Sequence, residues 1–132
     1  MRLFVGVELD ERVRLACVDA ARELDDRLRR ARSRLTVRWV PEHNLHITSW
    51  FFGEVSDARA AEIADCLRVD WKIQRFELAI AGVGVFPRSG PVRIVWVGVG
   101  AGAEKMPAIY DELTARLAPL GLEPERRPYH PH

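Results

Sequence analysis

Asn44-Leu45-His46-Ile47-Thr48-Ser49-Trp50-Phe51-Phe52-Gly53 is the stretch on which the reading of the fold turns. It is rich in β-branched and aromatic side chains and ends at a glycine, which predicts a strand. In a strand, residues two apart share a face. His46 and Thr48 therefore point one way, and Ile47 and Phe51 point the other, toward an expected core. An imidazole beside a hydroxyl on a rigid strand makes a small polar site. The ring moves a proton near neutral pH, and the hydroxyl donates to an anionic oxygen. Taken alone, His-x-Thr fits equally a strand histidine that only satisfies a hydrogen bond.

Upstream, Leu3, Val5, Val7 and Leu9 alternate and predict a half-buried strand. Asp10 is placed to cap a helix running to about Arg34, with Val13, Ala16, Cys17, Ala20, Leu24 and Leu28 at helical spacing. Arg27, Arg29, Arg30, Arg32 and Arg34 crowd its tail. Basic residues suit a helix C-terminus, so a solvated face is the first reading and contact with nucleic acid phosphate the second. Leu35 to Val40 predicts a short strand stopped by Pro41. Downstream, Ser56 caps a helix with Ala60, Ile63, Ala64 and Leu67 on one side. Phe76 to Phe86 and Val92 to Val99 are β-rich runs, and Pro87-Arg88-Ser89-Gly90-Pro91 between them has hairpin turn chemistry. Gly100 to Gly102 reads as a flexible connection. Met106 to Leu120 is a third helix, with Ile109, Leu113 and Leu117 toward the core and Gly121 as its C-cap. The expected order β-α-β-β-α-β-β-α gives an α+β fold with largely antiparallel sheets.

The 132 residues suffice for one core, and 48% hydrophobic with 30% charged residues excludes a disordered or fibrous chain. Lys and Arg total 20 against 19 Asp and Glu, a net charge of +1, so a polyanion needs a local cluster rather than bulk charge. Cys17 and Cys66 lack metal-ligand spacing and read as buried structural thiols. Glu8 interrupts the first apolar run, so no signal peptide is expected. No apolar run approaches the roughly 20 residues that span a bilayer. A reducing cytoplasm is the expected setting.

The other end supplies a second histidine. In Tyr129-His130-Pro131-His132, Pro131 restricts His130 to an extended shape, as at the approach to a strand, with His132 its first residue. Two imidazoles from different strands facing one cleft form a general acid/base pair. Such a pair suits displacement at phosphorus without a metal. One ring takes a proton from the attacking water, the other gives one to the leaving oxygen, and donors such as Thr48 stabilise the phosphoryl oxygens.

Arg2-Leu3-Phe4, Trp39-Val40, Asn44 to Thr48, Phe51-Phe52-Gly53-Glu54-Val55, Phe86-Pro87-Arg88, Arg93 to Gly98 and Arg127 to His132 occur in this order. Together they resemble the two-histidine (2H) phosphoesterase superfamily. Within it the chain most resembles the bacterial and archaeal RNA 2′,3′-cyclic phosphodiesterases, also called 2′-5′ RNA ligases. The resemblance implies one domain over residues 1–132 with a two-lobed, pseudo-symmetric α+β fold carrying His-x-Thr twice. The first copy is His46 and Thr48. The second begins at His132, where the chain stops before the paired Thr, so the second lobe is expected to be incomplete. The resemblance implies that His46 is the proton donor to the 3′ leaving oxygen and His132 the base that activates water, yielding a 2′-phosphomonoester, with 2′-5′ ligation as the reverse reaction. It implies no metal or organic cofactor and an RNA or oligonucleotide end as partner; a monomer is expected. His130 belongs to the approach and receives no catalytic role.

Trp50 stands on the His46 face, either as a surface for stacking a base or as a residue that only fills the cleft edge; Arg127 is equally a phosphate contact or a solvated loop residue, and Tyr129 is a packing residue first and a base contact second. A histidine at a free end is expected to have nothing holding its rotamer, and so the chain is expected to turn over weakly or not at all. Two other readings stay open. One is a 2H enzyme acting on another small cyclic or 2′-5′-linked nucleotide. The other is a non-catalytic module that binds a nucleotide or RNA end.

Overall fold

Burial alternates residue by residue along β1 (Arg2–Glu8), exposed then half-buried, as the period-two pattern of Leu3, Val5 and Val7 requires. The start of β1 meets the end of β2 (His46–Glu54). Val55 N–H donates to the Met1 carbonyl at 2.9 Å, and the amino terminus donates back to the Val55 carbonyl at 2.8 Å. That reciprocal pair is the mark of an antiparallel ladder. The computed structural model describes Met1–His132, with elements in the order β-α-β-α-β-β-α. The fold is α+β. The chain forms two compact units, Val7–Ile47 and Met1–Gly6 with Thr48–His132.

In Val7–Ile47 the organising element is α1 (Glu11–Arg30). Asp10 Oδ1 accepts from Val13 N–H at 2.8 Å, the expected N-cap. Cys17 is buried on the apolar face, and burial raises its thiol pKa. The helix ends four residues earlier than about Arg34, because the chain wraps back at Arg30. Ser33 N–H donates to the Leu28 carbonyl at 3.0 Å, and Arg32 adopts φ 50°. The expected strand at Leu35 to Val40 does not form. Leu35 is 62% and Val40 56% exposed, and Trp39 turns to Asp25 on α1, its Nε1–H donating at 3.1 Å. The β-like composition of this run finds no partner strand, since the two sheets are β1–β2 and β3–β4 only.

In the other unit, Ser56 Oγ accepts from Arg59 N–H at 3.2 Å and caps α2 (Asp57–Leu67). β3 (Ile80–Phe86) and β4 (Ile94–Val99) form the expected antiparallel hairpin, with Phe86 opposite Ile94 and Gly84 opposite Trp96. The ladder slips between Ile80 and Val83, so β3 begins later than Phe76. The expected flexible Gly100–Gly102 link is instead a turn into a short 3-10 segment, Ala103–Lys105. α3 (Met106–Leu117) continues in a 3-10 turn to Leu120, and Gly121, at φ 69°, supplies the left-handed cap.

Trp50, Ile63, Leu113 and Leu117 form the core of this unit, with Leu3, Val5 and Ile109 packed around it. On α2 and α3 these are the positions that the helical periodicity singles out. Arg59 on α2 donates to the Leu120 carbonyl. Arg116 on α3 donates to Glu112 at 2.6 Å and to the carbonyls of Val69 and Asp70, while lying 4.7 Å from the Trp71 ring centre. The Arg116 hydrogen bond holds the Glu112 carboxyl below the usual carboxylate range. No helix is long and apolar enough to cross a membrane.

Leu113 is 0% and Val83 65% exposed. Leu113→Ala should lower unfolding free energy by about 2–5 kcal/mol through lost burial and a residual cavity. Val83→Ala should stay within about 0.5 kcal/mol. Denaturant midpoints at an unchanged slope measure both.

Candidate functional site

A 3-10 turn, Glu42–Asn44, delivers the chain into β2 after Pro41. It places the Asn44 carbonyl beside the first histidine, and His46 Nδ1 lies 2.7 Å from that oxygen. A carbonyl only accepts, so Nδ1 carries the proton in this contact. His46 and Thr48 are both half-buried, while Ile47 is 2% and Ser49 3% exposed. Up to Ser49, then, β2 keeps the expected alternation, with the His-x-Thr pair on the less buried face.

Beyond Ser49 the alternation breaks. Trp50, expected on the His46 face as a stacking surface for a base, is 7% exposed and belongs to the hydrophobic core. Its ring stacks on Tyr110 with centres 5.3 Å apart, so protein covers it. Phe51, expected in the core with Ile47, is 45% exposed and lies under the Arg2 guanidinium. Both corrections have one cause. Ser49 and Trp50 are buried in succession, so the strand has protein on both faces there and its two-residue period no longer separates inside from outside.

The C-terminal segment is held by the same aromatic group. The Tyr129 ring lies on Tyr110 at 4.8 Å, only 8° from parallel, and its hydroxyl donates to the Thr48 carbonyl at 3.3 Å. Burial pushes the Tyr129 phenol up. Three residues on, His132 Nδ1 lies 2.7 Å from the His130 carbonyl. The Phe86 ring stands edge-on to the His132 imidazole at 5.4 Å and 81°, and the Trp96 ring is 6.2 Å away. The expectation that a terminal imidazole has nothing to hold its rotamer is therefore corrected: one backbone oxygen and two aromatic rings fix it. Arg127 is exposed and makes no side-chain hydrogen bond or ion pair.

Beyond their place in the stretches Phe86-Pro87-Arg88 and Arg93 to Gly98, the sequence gives Phe86 and Trp96 no role at the site. What places them is the cross-strand register. Trp96 lies opposite Gly84, and a Cβ on Gly84 would collide with the indole ring. Only glycine lets the indole lie across the hairpin. That indole also meets His130 at 4.8 Å, edge to face, and its Nε1–H is buried without a partner. His130 in turn lies 6.0 Å from His132, so Phe86, Trp96, His130 and His132 form one aromatic cluster. Beside it is an open groove of about 480 Å³, bordered by Trp96, Gly98, Ala103, Glu104, His130 and Pro131. The groove touches His130 rather than the His132 ring. His46 lies in Val7–Ile47, whereas Thr48, Trp50, Arg127, Tyr129 and His132 lie in the other unit. No group of three or more His, Cys, Asp or Glu is arranged to hold a metal ion.

Comparison with known proteins gives a consistent set. The LigT like Phosphoesterase family model matches residues 16–96. The chain is similar to the RNA 2′,3′-cyclic phosphodiesterase of Aeropyrum pernix, 41% identical over 102 residues that cover 77% of this chain and 57% of that protein. It is similar to the RNA 2′,3′-cyclic phosphodiesterase of Methanothermobacter thermautotrophicus, 34% identical over 133 residues that cover 100% of this chain and 68% of that protein. The crystal structure of TT0787 of Thermus thermophilus superposes with a TM-score of 0.82 at 27% identity, covering 100% of this chain and 71% of that one. The chain thus spans 57% and 68% of the length of the two relatives named.

Two outcomes follow from this geometry. Gly84→Ala should displace the indole, changing tryptophan fluorescence and the NMR resonances of the His130 and His132 rings; unchanged spectra would mean that the cluster does not depend on the glycine. Alkaline stability should also report Tyr129. Below about pH 10 folded and unfolded chains both hold the phenol proton, and its stabilising effect is whole. Above that the unfolded chain loses the proton first, so stability falls until the folded phenol ionises. Tyr129→Phe should remove this part of the alkaline loss, read as the difference in denaturant midpoint between about pH 9 and about pH 11.

Proposed function

The chain belongs to the LigT-like phosphoesterase family, and from that premise we propose that it opens the 2′,3′-cyclic phosphate at an RNA end to a 2′-phosphomonoester. In this reading His132 takes a proton from water as the water oxygen attacks phosphorus. The bond from phosphorus to the 3′ oxygen breaks, and His46 gives that oxygen its proton. Thr48 donates to a phosphoryl oxygen as negative charge builds there. Each turnover leaves His132 with the proton that His46 has lost, and exchange with solvent restores both rings.

One observation carries the reading. Both imidazoles present Nδ1 to the backbone carbonyl two residues upstream, at 2.7 Å in each case. The same local contact at both rings holds Nδ1 to the backbone, which suits a pair that starts the reaction in opposite protonation states. A neutral ring so held accepts at Nε2, and a protonated one donates there. We place the reaction in the cytoplasm, with the protein acting as a monomer; the two unpaired cysteines, Cys17 and Cys66, fit a reducing setting.

The test is turnover of a dinucleotide with a 2′,3′-cyclic phosphate end, its product identified by phosphorus NMR. His46→Ala and His132→Ala should each lower kcat by about a hundredfold to ten-thousandfold, with a smaller change in KM. Thr48→Val should also act mainly on kcat. Undiminished turnover in either histidine variant overturns the assignment. Binding of the dinucleotide by the unmodified protein without any turnover would make the chain a binding module instead.

A further inference from the structure

We propose that the arginine-rich segment 27–38 is a phosphate-contacting surface that holds the body of an RNA strand. The choice of RNA as the polyanion rests on the function proposed above, because an enzyme that takes the end of a strand meets the remaining phosphates as well. The segment reads Arg27-Leu28-Arg29-Arg30-Ala31-Arg32-Ser33-Arg34-Leu35-Thr36-Val37-Arg38, with six arginines and no acidic residue. The whole chain has 20 basic and 19 acidic residues, so these six leave 14 basic against all 19 acidic elsewhere. The near-neutral protein is thus strongly polarised, with its excess positive charge in one short stretch.

Helix electrostatics account for only part of it. Arg27, Arg29 and Arg30 lie in the last turn of α1, where the dipole favours cations, and Arg27 and Arg29 pair with Glu23 and Asp25. The dipole's effect fades beyond that turn. Arg32, Arg34 and Arg38 lie past it, and with Arg30 they are exposed and make no ion pair or side-chain hydrogen bond. Four cations thus stand in solvent with no role in holding the fold.

The backbone adds an independent observation. Arg32 has φ 50°, the only non-glycine residue of the chain at positive φ. It closes the end of α1, where its own N–H donates to the Arg29 carbonyl and that of Ser33 to the Leu28 carbonyl, both at 3.0 Å. Glycine is the residue that such a left-handed cap favours. An exposed arginine with no partner, held in a strained conformation, contributes nothing that glycine would not improve in stability. Its charge is what remains to explain its presence. A membrane surface fits less well than RNA. Apart from Leu35, the exposed side chains of the segment are polar, charged or alanine, which leaves little to insert into lipid.

The test uses a labelled single-stranded RNA of about twenty nucleotides with an ordinary 3′-hydroxyl, titrated by fluorescence anisotropy across a salt series. The variant combines Arg30→Ala, Arg32→Ala, Arg34→Ala and Arg38→Ala. It should bind at least about tenfold more weakly at low salt, and the slope of log affinity against log salt should flatten by about two to three. Turnover of the cyclic dinucleotide should be the same in both proteins. Arg32→Gly alone should raise the thermal midpoint while weakening RNA binding, which separates binding from folding. Unchanged RNA affinity and slope in the fourfold variant overturn the proposal. So does retained RNA binding combined with lost binding to vesicles of acidic phospholipid. If neither protein opens the dinucleotide but the variant still loses RNA affinity, the catalytic reading fails and the RNA surface stands.

Discussion

Tyr110 is sandwiched between Trp50 of β2 and Tyr129 of the C-terminal segment, at 5.3 Å and 4.8 Å. Three parts of one unit meet in that stack: the strand that carries Thr48, the core helix α3, and the segment that ends at His132. Each offset-stacked aromatic pair contributes about 0.5–1.5 kcal/mol beyond the area it buries. The larger consequence is positional. A short irregular segment has no ladder of its own to hold it, and an aromatic column reaching into a packed core is a way to give it one address. The Tyr129 hydroxyl fixes the remaining freedom by donating to the Thr48 carbonyl. The placement of Tyr129 is therefore tied to the core through Tyr110 and the Thr48 carbonyl.

Local geometry finishes what the stack begins. His46 and His132 sit in unlike surroundings, one after a 3-10 turn and the other after a proline, yet each bonds the carbonyl two residues before it. A contact between residues so close in sequence costs little chain entropy and does not wait for distant packing. For His132, Phe86 adds an edge contact and Trp96 a tilted one, and both restrain ring rotation. The Trp96 contact depends in turn on the missing side chain of Gly84.

Much of this was legible in the chain. Helices were read from caps and from the 3.6-residue period, and Asp10, Ser56 and Gly121 do what their chemistry suggests. The hairpin and the position of His46 and Thr48 on a strand followed from short-range pattern in the same way. What failed was long-range. Leu35 to Val40 has strand composition, but a strand needs a neighbour, and Trp39 found Asp25 on a helix instead. Trp50 and Phe51 exchange their expected roles because β2 is enclosed on both faces at Ser49 and Trp50. The bracing of His132 was invisible for the same reason. It arises from a cross-strand pair, Gly84 with Trp96, whose register no single segment reveals.

These constraints divide the residues by what they are needed for. Leu113, Ile63 and Trp50 hold a core and can change only at the expense of packing. Gly84 and Tyr129 act at one remove, through the rings they make room for or hold down. The arginines at positions 30, 32, 34 and 38 belong to neither group, since no bond within the protein uses their side chains. A charged group that the fold does not need is free to be lost, and at Arg32 the backbone would gain by losing it. Stability alone gives no reason to concentrate such groups on one stretch while the rest of the chain runs acidic. The proposed RNA surface supplies a reason from outside the molecule, in phosphates that carry negative charge at regular intervals.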